Sequence, residues 1–169
     1  MIRIAASGAL LAASAACSGT EAREPGPALE LTGRVTDSAN ILSSETEVNL
    51  DSKLAALQAS TGVQLVVATT PTLQGNDIAS YSLDLANAWG IGSVERDDGL
   101  LLLVAPNERR VRIEVGLGLE ASVRDEEAAL IIEESMLPHF RRSDFDRGVM
   151  KAVDDLVEEV TPVAMREAA

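Results

Sequence analysis

The sequence predicts an α/β domain in which helices cover both faces of a small mixed sheet, a three-layer α/β/α sandwich. Two short apolar runs, residues 63–68 and 100–105, support this prediction. A strand that is apolar on both sides must be buried on both faces. The segments around these runs place apolar residues at helical spacing, so we expect those helices to cover both faces of the sheet.

The first sixteen residues have the pattern of a secretory signal peptide. Arg3 supplies a basic start, and residues 4–16 are all apolar or small. Residues 17–30 contain Gly and Pro among polar residues and predict a flexible tether. We therefore expect the folded domain to span residues 31–160, followed by a short tail over 161–169.

The single cysteine of the chain, Cys17, directly follows this predicted signal. Residues 14–17, Ser-Ala-Ala-Cys, resemble a bacterial lipobox, in which cleavage leaves a lipid-modified N-terminal cysteine. The alternative is ordinary cleavage after residues 13–15, with Cys17 unmodified. A lone cysteine also excludes an internal disulfide, so the core has to be stable without one.

The first predicted helix begins at a capping box formed by Ser44 and Glu47 and ends near Gly62. A second helix covers residues 78–89 and ends at Gly90. The apolar run 100–105 then leads through a turn at 106–108 into a strand. In that strand, apolar residues at 111, 113 and 115 alternate with charged ones, so the two strands form a hairpin.

Two further helices follow the hairpin. The first covers residues 126–137 and is expected to stop at Pro138, because proline lacks the amide that a helix interior needs. The second begins near Asp144 and carries apolar residues at spacings near four up to residue 160.

The composition narrows the classes of function. The formal net charge is -13 and the pI is about 4.4, so the surface repels phosphate backbones and nucleic-acid binding is not expected. The sequence has one histidine, His139, and no Gly-x-Ser-x-Gly motif that would place a nucleophilic serine beside it. It also lacks the ligands for a zinc site of the His/Cys type. Chemistry at this domain would therefore depend on carboxylates.

Five carboxylates lie near the predicted ends of strands or the starts of helices, where oxygen ligands suit a hard cation such as calcium or magnesium. A turn or a helix cap would explain the same residues without any metal. The five are Asp37, Asp97, Asp98, Glu114 and Asp125.

Four motifs in order resemble the TPM-domain family over about residues 31–159. The opening motif is residues 33–43, and the first central strand matches at 61–67. The signature covers 86–92 and the Asp-Asp-Gly-Leu-Leu-Leu of 97–102, and residues 112–120 complete the match. The resemblance implies an α/β/α sandwich in an exported or membrane-associated protein.

The resemblance also implies chemistry, because divalent-cation binding and acid phosphatase activity have been attributed to some members of the family. Asp37, Asp97 and Asp98 are the matching acidic positions for a calcium or magnesium ion, with Glu114 and Asp125 as weaker matches. Many bacterial members also carry a C-terminal spanning helix and a Gly-rich tail. Neither is found here, so Cys17 would provide the membrane anchor.

Two functions follow as hypotheses. The first is a lipid-anchored, cation-binding module in the periplasm or cell envelope that associates with a membrane-protein complex. The alternative is a metal-assisted phosphatase that hydrolyses phosphomonoesters. A glycosidase with Asp98 and Glu114 as acid and base is a more distant possibility. The sequence leaves the partner, the substrate and the oligomeric state open.

Overall fold

The computed structural model describes residues 29–161 and contains one four-stranded sheet. The strands lie side by side in chain order. The first three are parallel, and the fourth is antiparallel to the third. They are β1 (Val35–Asp37), β2 (Gln64–Thr69), β3 (Gly99–Ala105) and β4 (Arg110–Val115).

Helices cover both faces of this sheet, which confirms the three-layer sandwich. Within residues 29–161, α2 is the one helix on the first face, and α1, α5 and the shorter helical segments pack together on the other face. The helices are α1 (Ser44–Thr61), α2 (Ile78–Trp89), α3 (Asp125–Leu130), α4 (Leu137–Phe140) and α5 (Phe145–Val160). A 3-10 turn covers Leu117–Leu119, and a π-helical segment, Ile131–Met136, joins α3 to α4.

β3 is the centre of the core, and all seven of its residues are buried. Successive side chains of a strand point to opposite faces, so Leu100 and Leu102 join the core under α1 and α5. Leu101 and Leu103 join the core under α2. This two-sided burial confirms what the apolar run 100–105 predicted.

The cap of α1 lies one residue earlier than predicted. Ser43, not Ser44, is the N-cap, and its hydroxyl accepts a hydrogen bond from the Thr46 amide at 3.3 Å. The Ser43 amide donates to the Asp146 carboxylate at 2.8 Å, a contact more than a hundred residues away in sequence. This tertiary contact holds Ser43 in the extended conformation that a cap needs.

Pro138 does not end the third helix, which is a second correction. The helical path widens into the π-helical segment and continues through Pro138 to Phe140. The Leu137 amide donates to the Ile132 carbonyl, five residues back. This wider turn accommodates a proline that has no amide to donate.

The predicted signal peptide, the candidate lipidation residue Cys17 and most of the predicted tail lie outside the described residues. Between residues 29 and 161, no helix has both the length and the apolar character that crossing a membrane requires.

Candidate functional site

Asp37 lies at the carboxyl end of β1, and its side chain holds the following loop. One carboxylate oxygen accepts from the Leu42 amide at 2.9 Å. The other accepts from the Ile41 amide at 3.2 Å and from the Thr69 hydroxyl. Protein donors therefore occupy both oxygens of this candidate ligand.

Asp98 is buried, with 6% of its surface exposed, in the loop that leads into β3. One carboxylate oxygen accepts from the amide and the hydroxyl of Ser93 at 2.8 and 2.9 Å. The other accepts from the Arg96 guanidinium at 2.6 Å. Burial acts to raise the pKa of Asp98, but the bonds from Ser93 and Arg96 outweigh it and hold that pKa below its usual range.

The sheet register separates Asp37 from the aspartate pair. Asp37 is aligned with Thr69, which is aligned with Val104, near the carboxyl end of β3. Asp97 and Asp98 precede Gly99, at the opposite end of β3. Five residues of strand separate these two levels, or about 17 Å. The expected site, in which Asp37, Asp97 and Asp98 share one cation, is therefore not formed.

The two weaker candidates lie near each other but are differently engaged. Glu114 accepts from the Ser82 hydroxyl at 2.6 Å and from the Arg112 guanidinium at 2.9 Å. Asp125 is exposed at the start of α3. Both border a recess of about 370 Å³ that Glu120 and Glu126 also line. Two arginines, Arg112 and Arg124, line this recess as well.

The candidate ligands do not fit the cation that the resemblance implies. Over residues 29–161, no group of three or more acidic, histidine or cysteine side chains is arranged to hold a metal ion. A calcium or magnesium site usually requires several convergent oxygen ligands. The sequence thus predicts a divalent cation, whereas the described residues provide no site for one, and a measurement has to decide between the two.

One open groove brings two of the five candidates together. The acidic groove, of about 420 Å³, lies between α2, the loop before β3 and the turn after β4. Its carboxylates come from Asp97, Glu114 and Glu120, and none of the described residues that line it is Lys or Arg. Leu83 and Leu117 also line it, with 50% and 72% of their surfaces exposed.

Sequence reasoning identified Asp97 and Glu114 but missed Glu120, Leu83 and Leu117. The sequence does contain a signal for Leu83, because it is an apolar residue on the otherwise polar outer side of α2. Leu117 gives another, because it stands between two glycines in a turn, where burial is not expected.

The chain is thus an α/β sandwich with an open, acidic groove on its surface. The sequence profile of the TPM domain matches residues 35–159, which is most of the chain. The chain therefore belongs to the TPM domain family. No curated protein matches it.

Solved structures agree with this assignment. The chain is 34% identical to the N-terminal domain of a protein from P. gingivalis, with a TM-score of 0.71, covering 76% of this chain and 82% of that one. The N-terminal domain of cg2496 from Corynebacterium glutamicum has a TM-score of 0.60 at 18% identity, covering 77% and 81% of the two chains. The BA42 protein from Bizionia argentinensis has a TM-score of 0.61 at 16% identity, covering 70% and 81%. At these lower identities the likeness is one of fold.

Proposed function

We propose that this domain is a non-catalytic binding module of the cell envelope, and that its acidic groove binds a basic, partly apolar segment of a membrane-protein partner. The observation that carries the proposal is the combination of Asp97, Glu114 and Glu120 with the exposed Leu83 and Leu117 in one groove. Charge selects a cationic partner, and the leucines gain from being covered.

The groove is suited to a partner because its charge is only partly neutralised within the domain. Arg112 pairs with Glu114, but no ion pair is formed by Asp97 or Glu120 among the described residues. Burying the two leucines would remove apolar surface from water, which favours association by roughly 25 cal/mol for each Å². Lysine or arginine beside an apolar residue in the partner would match both features.

The proposed location depends on the N-terminal sequence. The signal-like residues 1–16 and the lipobox-like position of Cys17 support export and a lipid anchor. A lipid anchor would keep the domain close to membrane proteins, which raises the effective concentration of such partners.

The geometry favours a binding module over the phosphatase alternative. Asp98 is buried and paired with Arg96, and Asp37 holds its own loop, so protein groups engage both carboxylates. His139 lies 3.6 Å from the Asp144 carboxylate, at the start of α5. Hydrolysis of an aryl phosphate by the purified chain, lost in Asp97→Asn, would overturn the non-catalytic assignment.

The test is recovery of a partner from detergent-solubilised envelope with the tagged full-length chain. The groove variant combines Asp97→Asn, Leu117→Ser and Glu120→Gln, all at exposed positions. Asn suits position 97, where φ is 48°, because it tolerates the left-handed region. Val94→Ser is the matched control, since Val94 is 94% exposed and does not line the groove.

We expect the wild-type chain and Val94→Ser to recover the same membrane protein, and the groove variant to lose it. Recovery of that protein by all three chains would contradict the groove as its binding site. Recovery of no membrane protein above background by the wild-type chain would contradict the binding function itself.

A further inference from the structure

A second cavity lies at the other end of the β3–β4 hairpin. It has a volume of about 470 Å³ and opens between the hairpin turn and the segment that joins α4 to α5. We call it the arginine pocket, because Arg109, Arg110 and Arg141 line it. This volume is in the range of pockets that bind small molecules.

The inner wall of the arginine pocket is apolar. Val111 from β4 and Leu137 from α4 contribute to it, together with Phe140 and Phe145. The two phenylalanine rings pack in a tilted arrangement with centroids 4.9 Å apart. These side chains offer a surface on which an aliphatic or aromatic group can be buried.

The rim of the pocket is basic and lacks counter-charges. None of the described residues that line it is Asp or Glu. Within residues 29–161, seven other Arg and Lys side chains form ion pairs with carboxylates, whereas Arg109, Arg110 and Arg141 form none. In a chain with a net charge of -13, three unpaired arginines around one cavity are a local exception.

This combination defines the ligand. Arginine binds carboxylate and phosphate groups through paired hydrogen bonds, so an anionic group would satisfy the rim. The apolar wall would take a hydrocarbon chain or ring attached to that group. We propose that the arginine pocket binds an amphipathic anion, such as a fatty-acid carboxylate or the headgroup and chain of an anionic lipid.

The proposal is independent of the proposed function. The acidic groove is lined by the end of β4 at Glu114 and Val115, whereas the arginine pocket is lined by its start at Arg110 and Val111. The two surfaces share no lining residue and carry opposite charge. A partner protein in the groove and an amphipathic anion in the pocket would therefore occupy separate sites.

The experiment is a calorimetric titration of the full-length chain at constant ionic strength. Dodecanoate is the probe for a free fatty acid, and dihexanoyl phosphatidylglycerol is the probe for an anionic lipid headgroup. Dodecyltrimethylammonium has the same chain with the opposite charge, and acetate has the carboxylate without the chain. The variant is Arg109→Gln/Arg110→Gln/Arg141→Gln. Its matched control is Arg142→Gln, because Arg142 is exposed and lies outside the pocket lining.

We expect one dodecanoate or one lipid to bind per chain, and which of the two binds more tightly identifies the source of the ligand. The triple variant should weaken that binding at least about tenfold, and Arg142→Gln should leave it within about twofold. Equal binding of dodecyltrimethylammonium would overturn the proposal, because the charge would then play no part. Equal binding of acetate, or binding that the triple variant leaves unchanged, would overturn it as well.

Discussion

Asp98 retains its negative charge in a buried position because donors from Ser93 and Arg96 converge on it. The resulting pKa lies below the unfolded value of about 3.9. The charged carboxylate of Asp98 therefore stabilises the folded state at pH values above the unfolded pKa. Its contribution is lost as the pH falls through the folded-state pKa. The acid stability of the domain depends in part on this one loop.

Asp98→Asn tests this role. The amide group of asparagine would face the Arg96 guanidinium, which is itself a donor, so the buried amide group is left without an acceptor. We expect the free energy of unfolding to fall by about 2 kcal/mol at neutral pH. The difference between the two proteins should shrink as the pH is lowered below about 4, because the carboxyl group of the unfolded wild-type chain then takes up a proton before that of the folded chain does. Urea unfolding at each pH measures both effects.

Asp97→Asn is the matched control for that substitution. Asp97 is exposed, and asparagine tolerates its φ of 48°, so we expect a change within about 0.5 kcal/mol at every pH. A loss for Asp97→Asn as large as that for Asp98→Asn would contradict the assignment of the buried charge to Asp98.

The contrast between these neighbours shows what residue-level prediction could achieve. The sequence identified Asp97 and Asp98 as a pair of interest, but it gave both the same role. Their roles differ because the loop closes on itself, with the Asp97 amide bonded to the Ser93 carbonyl at 2.8 Å. That closure turns Asp98 inward and leaves Asp97 in the groove. No spacing rule contains this information.

Gly118 allows the turn after β4 to contact the loop before β3 closely. The Gly118 amide donates to the Asp97 carbonyl at 3.1 Å. A Cβ atom at this position would overlap the carbonyl oxygen of Arg96. We expect Gly118→Ala to lower the free energy of unfolding by about 1–3 kcal/mol, because the two backbones would have to separate. Thermal or urea unfolding measures the loss.

Gly33→Ala is the control for Gly118→Ala. The nearest neighbouring atom to a Cβ at Gly33 would be 4.0 Å away, so the added methyl group meets no obstacle. We expect this variant to be as stable as the wild type or slightly more stable. Equal losses in the two variants would show that the close approach of the loops is not the cause.

At the element scale, the sequence predicted most helices and strands well. The leucines of α1 and the apolar run of β3 set local periodicities that do not depend on the rest of the chain. The predictions that failed depend on hydrogen bonds that the apolar pattern does not encode. Ser43 is the cap of α1 because Asp146 holds its amide, and Pro138 is tolerated because the preceding turn widens. The first contact is made with a residue far along the chain, and the second replaces the regular helical hydrogen bond on which the prediction depended.

The thermal stability of the whole chain tests whether it binds a divalent cation. Since no group of three or more potential ligands converges within residues 29–161, we expect the melting temperature to be the same in calcium, magnesium or EDTA. A cation present at about 100 times its dissociation constant would add about 2.7 kcal/mol to the stability. Thermal melts of the full-length chain would detect such a change.

Ionic strength has to be matched with sodium chloride in these melts, because a chain with a net charge of -13 gains stability from any added salt. A rise that is specific to calcium, and that is removed by Asp97→Asn or Glu114→Gln, would contradict the expectation. It would place the cation in the acidic groove.

The sandwich itself was predictable from two buried runs, but the order of its strands was not. Because β1, β2 and β3 are parallel, Asp37 at the end of β1 is aligned with the far end of β3, and this separates it from Asp97 and Asp98, which precede β3. A set of acidic residues that looks like one site in the sequence therefore becomes two unrelated structural roles. The pairing of β1 with β2 is a property of the assembled sheet.

The short strand β4 also fixes a distance. From Arg110 to Val115 it spans about 17 Å, with the arginine pocket at its start and the acidic groove at its end. Pairing with β3 along its whole length holds this strand in the sheet. An anion at one end and a protein segment at the other would therefore be held apart by a rigid spacer, so the domain would fix how far its partner stands from that anion.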